Sequence, residues 1–419
     1  MKKVCVLGLG YIGLPTASIL ATHGFEVLGV DVSPYVVNTI NEGNVHIEEP
    51  GLRTIVQAAT HSGNLKAALE PAPADAFIIA VPTPFLPDRS ADLGYVESAA
   101  RSLVDVIKKG DLVVLESTTP PGTTETVLAP ILAESGLTVG EDIYVTHCPE
   151  RVLPGKILKE LIENDRVIGG VNKASTEKAA ELYGSFVEGD ILLTTSKTAE
   201  MAKLVENTYR DVNIALANEL AVICEKLGIN VWEVIGLANR HPRVNIHSPG
   251  PGVGGHCISV DPWFIVAGFP DEAHIIKLSR ETNDSMPQHI VDRVAAATRD
   301  VADAKVTLFG LAYKGNVDDI RESPAETIYS LLCESGYEVC VYDPHVKHSK
   351  IELVDVKTAI SGSDCVVVVT DHDEFKFLDP AKLGAIMRTK TVIDTRNCLN
   401  LESWRNAGFT VYLHGEGKA

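Results

Sequence analysis

Gly8, Gly10 and Gly13 stand at G-x-G-x-x-G spacing directly after the apolar run Lys3 to Leu7, and a helical pattern opens behind them. Glycines at this spacing permit a tight strand-to-helix turn and a close approach of backbone to a pyrophosphate, while the helix N-terminus supplies partial positive charge. Asp31 closes the next strand candidate, Glu26 to Val30, eighteen residues after Gly13. A carboxylate there accepts hydrogen bonds from the hydroxyls of an adenosine ribose and disfavours a 2′-phosphate. The pattern therefore points to NAD rather than NADP, with Gly8, Gly10, Tyr11, Ile12, Gly13 and Asp31 as the binding residues. A lone glycine fingerprint is weak; strand, helix and acid in register make it strong.

Two turns, Val81-Pro82-Thr83-Pro84 and Glu116 to Thr123, follow further strand candidates, Ala76 to Val81 and Leu112 to Glu116. Such strand ends contact dinucleotides in parallel sheets, which adds Thr83 and Thr118. On their own, ordinary turn chemistry is the simpler explanation of both. Ile143 to Thr146 is another strand candidate, and the alternation of strands with helical patterns predicts a parallel sheet covered on both faces. A helical pattern of nearly thirty residues then runs from about Thr198 to Lys226, with shorter ones at Val231 to Ala238 and Ala273 to Asn283. Past Asp300 the strand pattern returns at Lys305 to Gly310, Tyr337 to Tyr342, Cys365 to Thr370 and Thr391 to Asp394, without a clean glycine fingerprint. The expected fold class is α/β, with two Rossmann-like doubly wound parallel sheets joined by a central helical domain. The segments are 1–196, 197–298 and 299–419.

A chain of 419 residues with 45% hydrophobic content has ample material for several cores. Its 37 basic against 56 acidic residues give a net charge of −19. That balance disfavours nucleic acid and anionic membrane as partners. Eight cysteines without CxxC pairs or zinc-like spacing fit a reducing interior, and no metal is expected. Lys2-Lys3 and the apolar residues behind them resemble a secretory leader, but the embedded fingerprint argues against one. A cytoplasmic protein is the expectation.

Cys257 lies in Pro249-Gly250-Pro251-Gly252-Val253-Gly254-Gly255-His256-Cys257, with Asp261 following. So many glycines and prolines cannot continue a helix or a central strand, so the thiol sits on irregular backbone that a ligand can approach. Most cysteines are small buried hydrophobes, and Cys5, Cys340 and Cys365, in strand-like apolar runs, are expected in cores. Cys257 is not. A nicotinamide cofactor with a loop cysteine suggests covalent oxidation of an aldehyde: thiolate addition, loss of hydride and hydrolysis of a thioester. Lys203 and Asn207, four apart in a helical pattern, share one face and offer a cation and an amide donor to an oxyanion. Taken alone, Lys203 reads as a solvated lysine, Asp261 as an N-cap before Pro262 and Glu150 as a helix-start carboxylate.

The ordered set Gly8 to Gly13, Val81 to Pro84, Glu116 to Thr124, Cys148-Pro149-Glu150-Arg151, Glu200 to Asn207, Gly252 to Asp261, Leu311 to Lys314 with Arg321 to Pro324, and Asp394 to Asn397 resembles the UDP-glucose/GDP-mannose dehydrogenase family over almost the whole chain. The resemblance implies oxidation of the C6 alcohol of a nucleotide sugar to a carboxylate with two NAD+. It implies Cys257 as the thioester nucleophile, with Lys203 and Asn207 handling the alcohol proton and the oxyanions. Asp261 and Glu150 match acids implicated in water activation, and nothing in the sequence chooses between them. Lys314 resembles a substrate-contacting lysine and Arg396 a contact to the nucleotide diphosphate, with Arg151 and Gly254 beside the same ligand. Arg243 roughly matches an arginine offered across a homodimer, and Arg240 competes for that place.

Within the family, Cys148 to Gly155, Asn164 to Gly170 and Asn239 to Asn245 are most similar to members acting on UDP-N-acetyl-D-mannosamine. UDP-N-acetylglucosamine and UDP-glucose remain alternatives, since the configuration at C2 follows from no residue here. A β-hydroxyacid or 6-phosphogluconate type of dehydrogenase would share the first sheet, the long helix and a lysine but would need no cysteine. A non-catalytic NAD-binding protein would leave Cys257 and Asp261 without purpose.

Overall fold

The computed structural model describes residues 1–153 and 155–417. It divides into two compact units, Met1–Glu206 and Asn207–Ala419. In the first, β1 (Lys3–Leu7), β2 (Glu26–Val30), β3 (Leu65–Ala68), β4 (Ala76–Ile79), β5 (Leu112–Leu115), β6 (Tyr144–His147), β7 (Arg166–Gly170) and β8 (Ile191–Thr195) form one sheet in the order β3-β2-β1-β4-β5-β6-β7-β8. The first six strands have the doubly wound dinucleotide-binding order, whose ligand crevice opens where the order reverses, between β1 and β4. Alternate residues of the central strands feed opposite faces. Val4, Val6, Ile78 and Val114 enter one core, and Cys5, Leu7, Phe77, Ile79, Val113 and Leu115 enter the other. Both faces are covered, so these strands read as continuous apolar runs rather than alternating ones.

The strands expected from the sequence pair in parallel, and the antiparallel junction comes with a strand the sequence did not reveal. β7 runs antiparallel to β6, with Thr146 opposite Gly170 and His147 opposite Gly169. The glycines that disguise β7 are required by close contact: a Cβ on Gly169 would lie 2.2 Å from the Thr195 carbonyl oxygen, and one on Gly170 would lie 2.5 Å from the Thr176 nitrogen. Glycine-poor propensity scales miss such a strand.

The helix Ser196–Leu227 continues without a break through the division between the units. The second unit contains the rest of that helix, the helices Val231–Ala238, Asp261–Gly268 and His274–Thr298, and a five-stranded sheet. The sequence suggests a helix ending near Asn283, but it runs on to Thr298 through the buried Pro287. The sheet consists of β9 (Lys305–Phe309), β10 (Glu338–Tyr342), β11 (Cys365–Val368), β12 (Thr391–Asp394) and β13 (Thr410–Leu413), all parallel, in the order β10-β9-β11-β12-β13. This is the other common doubly wound order, 2-1-3-4-5. Cys5 and Cys365 are buried as expected, whereas Cys340 is only half-buried because β10 is the edge strand. Behind β13, Val231 N–H donates to the Gly415 carbonyl at 2.9 Å and Trp232 Nε1 to the His414 carbonyl at 2.9 Å. These bonds tie the helices of this unit to its sheet.

Candidate active site

In the first unit, the turn after β1 has the features a pyrophosphate cradle needs. Gly8 has φ +89°, and a Cβ there would sit 2.5 Å from the Ala80 carbonyl oxygen; one on Gly13 would sit 1.8 Å from the Gly8 carbonyl oxygen. Nothing lies within 4 Å of a Cβ on Gly10, so that backbone faces open space. The helix Gly13–Thr22 starts at Ile12 without a side-chain cap, and its Leu14 N–H turns back to the Gly10 carbonyl at 3.1 Å, so the positive end of the helix dipole lies at the glycine turn. Asp31 accepts from the Leu9 N–H at 3.1 Å and the Ser33 N–H at 2.9 Å, which aims the carboxylate back over the glycine turn. Thr83 Oγ1 donates to the Thr118 carbonyl at 2.6 Å, so the two turns singled out in the sequence meet. These residues fit NAD.

The same unit holds Lys203, Glu150 and Arg151. Glu200, fully buried, accepts from the Thr124 N–H at 2.8 Å and Thr124 Oγ1 at 2.6 Å, which anchors the long helix one turn before Lys203. Burial and the neighbouring Lys203 charge push the pKa of the buried His147 down to about 3, so its ring is neutral. Glu150 does not begin a helix. It is buried and accepts from Arg166 Nη1 at 2.8 Å. Arg151 makes a two-pronged pair with Glu206, at 2.9 and 3.2 Å, and donates to the Asp165 carbonyl at 3.3 Å.

The second unit holds the cysteine loop. Cys257 is half-buried in a turn, and its carbonyl accepts from the Val260 N–H at 3.0 Å and the Asp261 N–H at 2.8 Å. Asp261 is not an N-cap: Val260 is, without a side-chain bond, and Asp261 is the first helical residue. Its Oδ2 instead accepts from Asn207 Nδ2 at 2.6 Å, both side chains being buried. The Leu311 to Lys314 and Arg321 to Pro324 segments close over the glycines. The Gly255 N–H donates to the Arg321 carbonyl at 2.9 Å, and a Cβ on Gly254 would lie 2.6 Å from the Glu322 carbonyl oxygen and 2.8 Å from Tyr313 Cβ. Gly254 is thus a packing position as well as a candidate contact. The Arg396 guanidinium lies over Gly250, 2.7 Å from where a Cβ would stand, and reaches Asp371 Oδ1 at 3.3 Å. Lys314 is exposed beside this cluster in sequence, and Arg243 is exposed in the irregular stretch after Val231–Ala238.

Three family profiles match in chain order: the UDP-glucose/GDP-mannose dehydrogenase NAD binding domain over residues 2–187, the central domain over 197–285 and the UDP binding domain over 307–401. The chain belongs to the UDP-glucose/GDP-mannose dehydrogenase family. It is an NAD-dependent oxidoreductase of nucleotide sugars. It is 52% identical to a UDP-N-acetyl-D-mannosamine dehydrogenase of Methanococcus maripaludis, over 100% of this chain and 98% of that one. An NDP-N-acetyl-D-galactosaminuronic acid dehydrogenase of Ralstonia nicotianae is 50% identical over 94% of this chain and 96% of its own length. The solved UDP-D-ManNAc dehydrogenase of Pyrococcus horikoshii superposes with a TM-score of 0.94 at 42% identity, covering 100% of both chains.

Two groups of residues in this family member escaped the sequence reading. The first anchors the cysteine loop: the Gly250 N–H donates to Asn218 Oδ1 at 2.8 Å, Asn218 Nδ2 to Asn283 Oδ1 at 2.9 Å and Asn283 Nδ2 to Asp211 Oδ1 at 2.8 Å, with Arg280 on the same Asp211 oxygen. All four side chains are buried. The second surrounds Glu150: Arg166, Glu116 and Tyr183 are buried, and Tyr183 Oη donates to Glu116 Oε1 at 2.6 Å. Polar residues drawn from two helices far apart in the chain give no periodic signal beyond an interrupted apolar stripe. Only the presence of Asn and Asp in otherwise buried helical faces hinted at the first group.

Proposed function

We propose that this enzyme oxidises the C6 alcohol of UDP-N-acetyl-D-mannosamine to the carboxylate, consuming two NAD+ and one water and releasing two NADH. The full-length likeness to proteins named for that substrate carries the reading. The seating of Asp261 on Asn207 behind the Cys257 turn supports its chemistry.

Gly8, Gly10, Tyr11, Ile12, Gly13, Asp31, Thr83 and Thr118 hold the cofactor, which supplies a hydride acceptor twice when bound. Lys203 and Asn207, one helical turn apart, take up the alcohol proton and stabilise the oxyanions. An amide has two N–H donors, so the bond to Asp261 fixes Asn207 and leaves a second donor for the ligand. Cys257 Sγ bonds to the aldehyde carbon; loss of hydride from C6 leaves a thioester, and attack by water breaks the S–C bond to give the carboxylate and the thiolate. We assign the water proton to Glu150, a buried carboxyl that accepts from Arg166, and the orientation of Asn207 to Asp261. Lys314 and Arg396 offset the diphosphate charge, and Arg151, Arg243 and Gly254 complete the substrate contacts.

We further infer three domains, 1–196, 197–298 and 299–419, and a homodimer built on the central helices. Tyr209, Leu216 and Ile223 recur at seven-residue spacing on the long helix and are exposed, as is Leu227. Such a stripe suits a partner helix. We place the enzyme in the cytoplasm, whose reducing interior suits its free cysteines; among the described residues no helix is long and apolar enough to cross a membrane.

The test is NADH formed per sugar consumed with UDP-ManNAc, UDP-GlcNAc and UDP-glucose separately. A ratio of about two, with UDP-ManNAc fastest, is the expected result. A ratio of about one would remove the thioester route, and faster turnover of another sugar would reassign the substrate.

A further inference from the structure

We propose that Glu116 is a positioning residue for thioester hydrolysis: it is the protonated member of a buried Glu116, Arg166 and Glu150 cluster, and its ionisation draws Arg166 away from Glu150. This rests on the assignment of the water proton to Glu150.

Strand register creates the cluster. β5 pairs with β6 so that Leu115 faces His147, which places the next residues, Glu116 and Cys148, side by side beyond the strand ends. β6 pairs antiparallel with β7 so that His147 faces Gly169. Carrying that register three residues further sets Glu150 opposite Arg166, the direction in which Arg166 Nη1 donates to Glu150 Oε2 at 2.8 Å. Tyr183, at the end of the helix Lys173–Tyr183, donates to Glu116 Oε1 at 2.6 Å. Its ring centroid lies 5.4 Å from the Arg166 guanidinium carbon.

Glu116 is 2% exposed, Arg166 3% and Glu150 7%. One cation therefore faces two buried carboxyls. If both ionised, one negative charge would stay uncompensated away from water, and a buried group avoids that by remaining neutral. Arg166 is bonded to Glu150, so Glu116 keeps the proton. Two buried atoms of the cluster have no hydrogen-bond partner among the described residues, Glu116 Oε2 and Arg166 Nη2. They are an acceptor and a donor on two groups that interact electrostatically.

The groups that face Glu116 are Arg166 on β7, Glu150 and Cys148 after β6, and Tyr183 on its helix. Burial raises Glu116 to about 7, with Arg166 opposing the rise and Glu150 adding to it. Burial also pushes the Cys148 thiol up to about 12 and Tyr183 well above its ordinary value. Of Glu116, Cys148 and Tyr183, Glu116 is the one whose rise brings it toward neutrality rather than away from it. While Glu116 holds its proton, Arg166 is hydrogen-bonded to Glu150 alone of the two carboxyls. Once Glu116 ionises, a second anion competes for Arg166 and weakens its hold on Glu150.

The experiment follows decay of the substrate adduct on Cys257 by rapid quench and intact-mass measurement, from about pH 5.5 to about pH 8.5. Adduct decay, unlike turnover, excludes the ionisation of Cys257 itself. In the wild type the decay rate should rise about tenfold per pH unit below a midpoint near neutrality and then level off. Glu116→Gln, which keeps the size and the acceptor for Tyr183, should abolish that limb. Tyr183→Phe removes a hydrogen bond that favours the ionised form and should move the limb to higher pH. An unaltered limb in Glu116→Gln overturns the inference; if that variant does not fold, an unmoved midpoint in Tyr183→Phe does so. Glu150→Gln separates the two readings. Adduct decay at the wild-type rate in Glu150→Gln would remove Glu150 from hydrolysis, whereas a persistent adduct there with an unaltered limb in Glu116→Gln would sink the Glu116 inference alone.

Discussion

Asn207 Nδ2 donates to Asp261 Oδ2 across 2.6 Å with both side chains buried, and Asp261 is the first residue of a helix whose N–H is held by the Cys257 carbonyl. The bond ties the long helix to the cysteine turn. Asp261→Asn keeps the volume but sets an amide against an amide. Turnover should fall by about 100-fold or more, the range in which an essential proton-handling or positioning group acts. Retention of turnover within about threefold would show that the Asp261 charge is dispensable.

Gly254 and Gly10 should respond in opposite ways to alanine. At Gly254 the added methyl meets the backbone carbonyl of Glu322 at 2.6 Å, which cannot swing aside like a side chain. Overpacking of this kind costs about 1–3 kcal/mol. A denaturant titration of Gly254→Ala should show that loss, and an unchanged midpoint would mean the loop relaxes freely.

At Gly10 nothing lies within 4 Å of the added methyl. Gly10→Ala should therefore unfold at the wild-type midpoint while binding NAD at least about tenfold more weakly, a loss of about 1.4 kcal/mol. Equal NAD affinity in a calorimetric titration would show that the open space at Gly10 is not where the pyrophosphate lies.

His147 is buried and neutral, its pKa lowered to about 3 first by burial and then by Lys203. Because the folded value is depressed, the unfolded chain binds the proton first as pH falls below about 6.5. Stability should decline from there toward pH 3, by about 1.4 kcal/mol per pH unit from this residue. His147→Gln should decline less steeply between about pH 6 and about pH 4. Parallel stability curves for the two proteins would assign the acid sensitivity elsewhere.

The exposed heptad of Tyr209, Leu216 and Ile223 predicts association through the long helix. Leu216→Asp places a charge in the middle of that stripe. Light scattering should report a mass near twice the chain's 45.0 kDa for the wild type and near 45.0 kDa for the variant. A variant that keeps the doubled mass would move the interface off this helix.

Local features were legible in the chain. β1 and β2 begin and end where the apolar runs do, the glycine turn and Asp31 follow in the expected order, and Val231–Ala238 is bounded as its pattern suggests, with Asn230 accepting from Trp232 and Glu233. β3 and β8 were not legible because they are edge strands with few β-branched or aromatic residues in the first and exposed ones in the second. The helix His274–Thr298 outran its expected end because tertiary burial of Met286, Pro287, Ile290 and Val294 outweighs the local cost of a proline.

By itself the sequence determined what depends on near neighbours: strand-then-glycine-then-helix, an acid at the next strand end, and a thiol on backbone too rich in glycine and proline to be regular. Tertiary structure alone decided which polar groups meet. Arg166 reaches Glu150 sixteen residues away because β7 runs antiparallel to β6, and Asn218 reaches Asn283 sixty-five residues away because two helices bury those faces together. Register and packing set such pairings, and a pattern of hydrophobicity along the chain specifies which face is buried without specifying the partner that buries it.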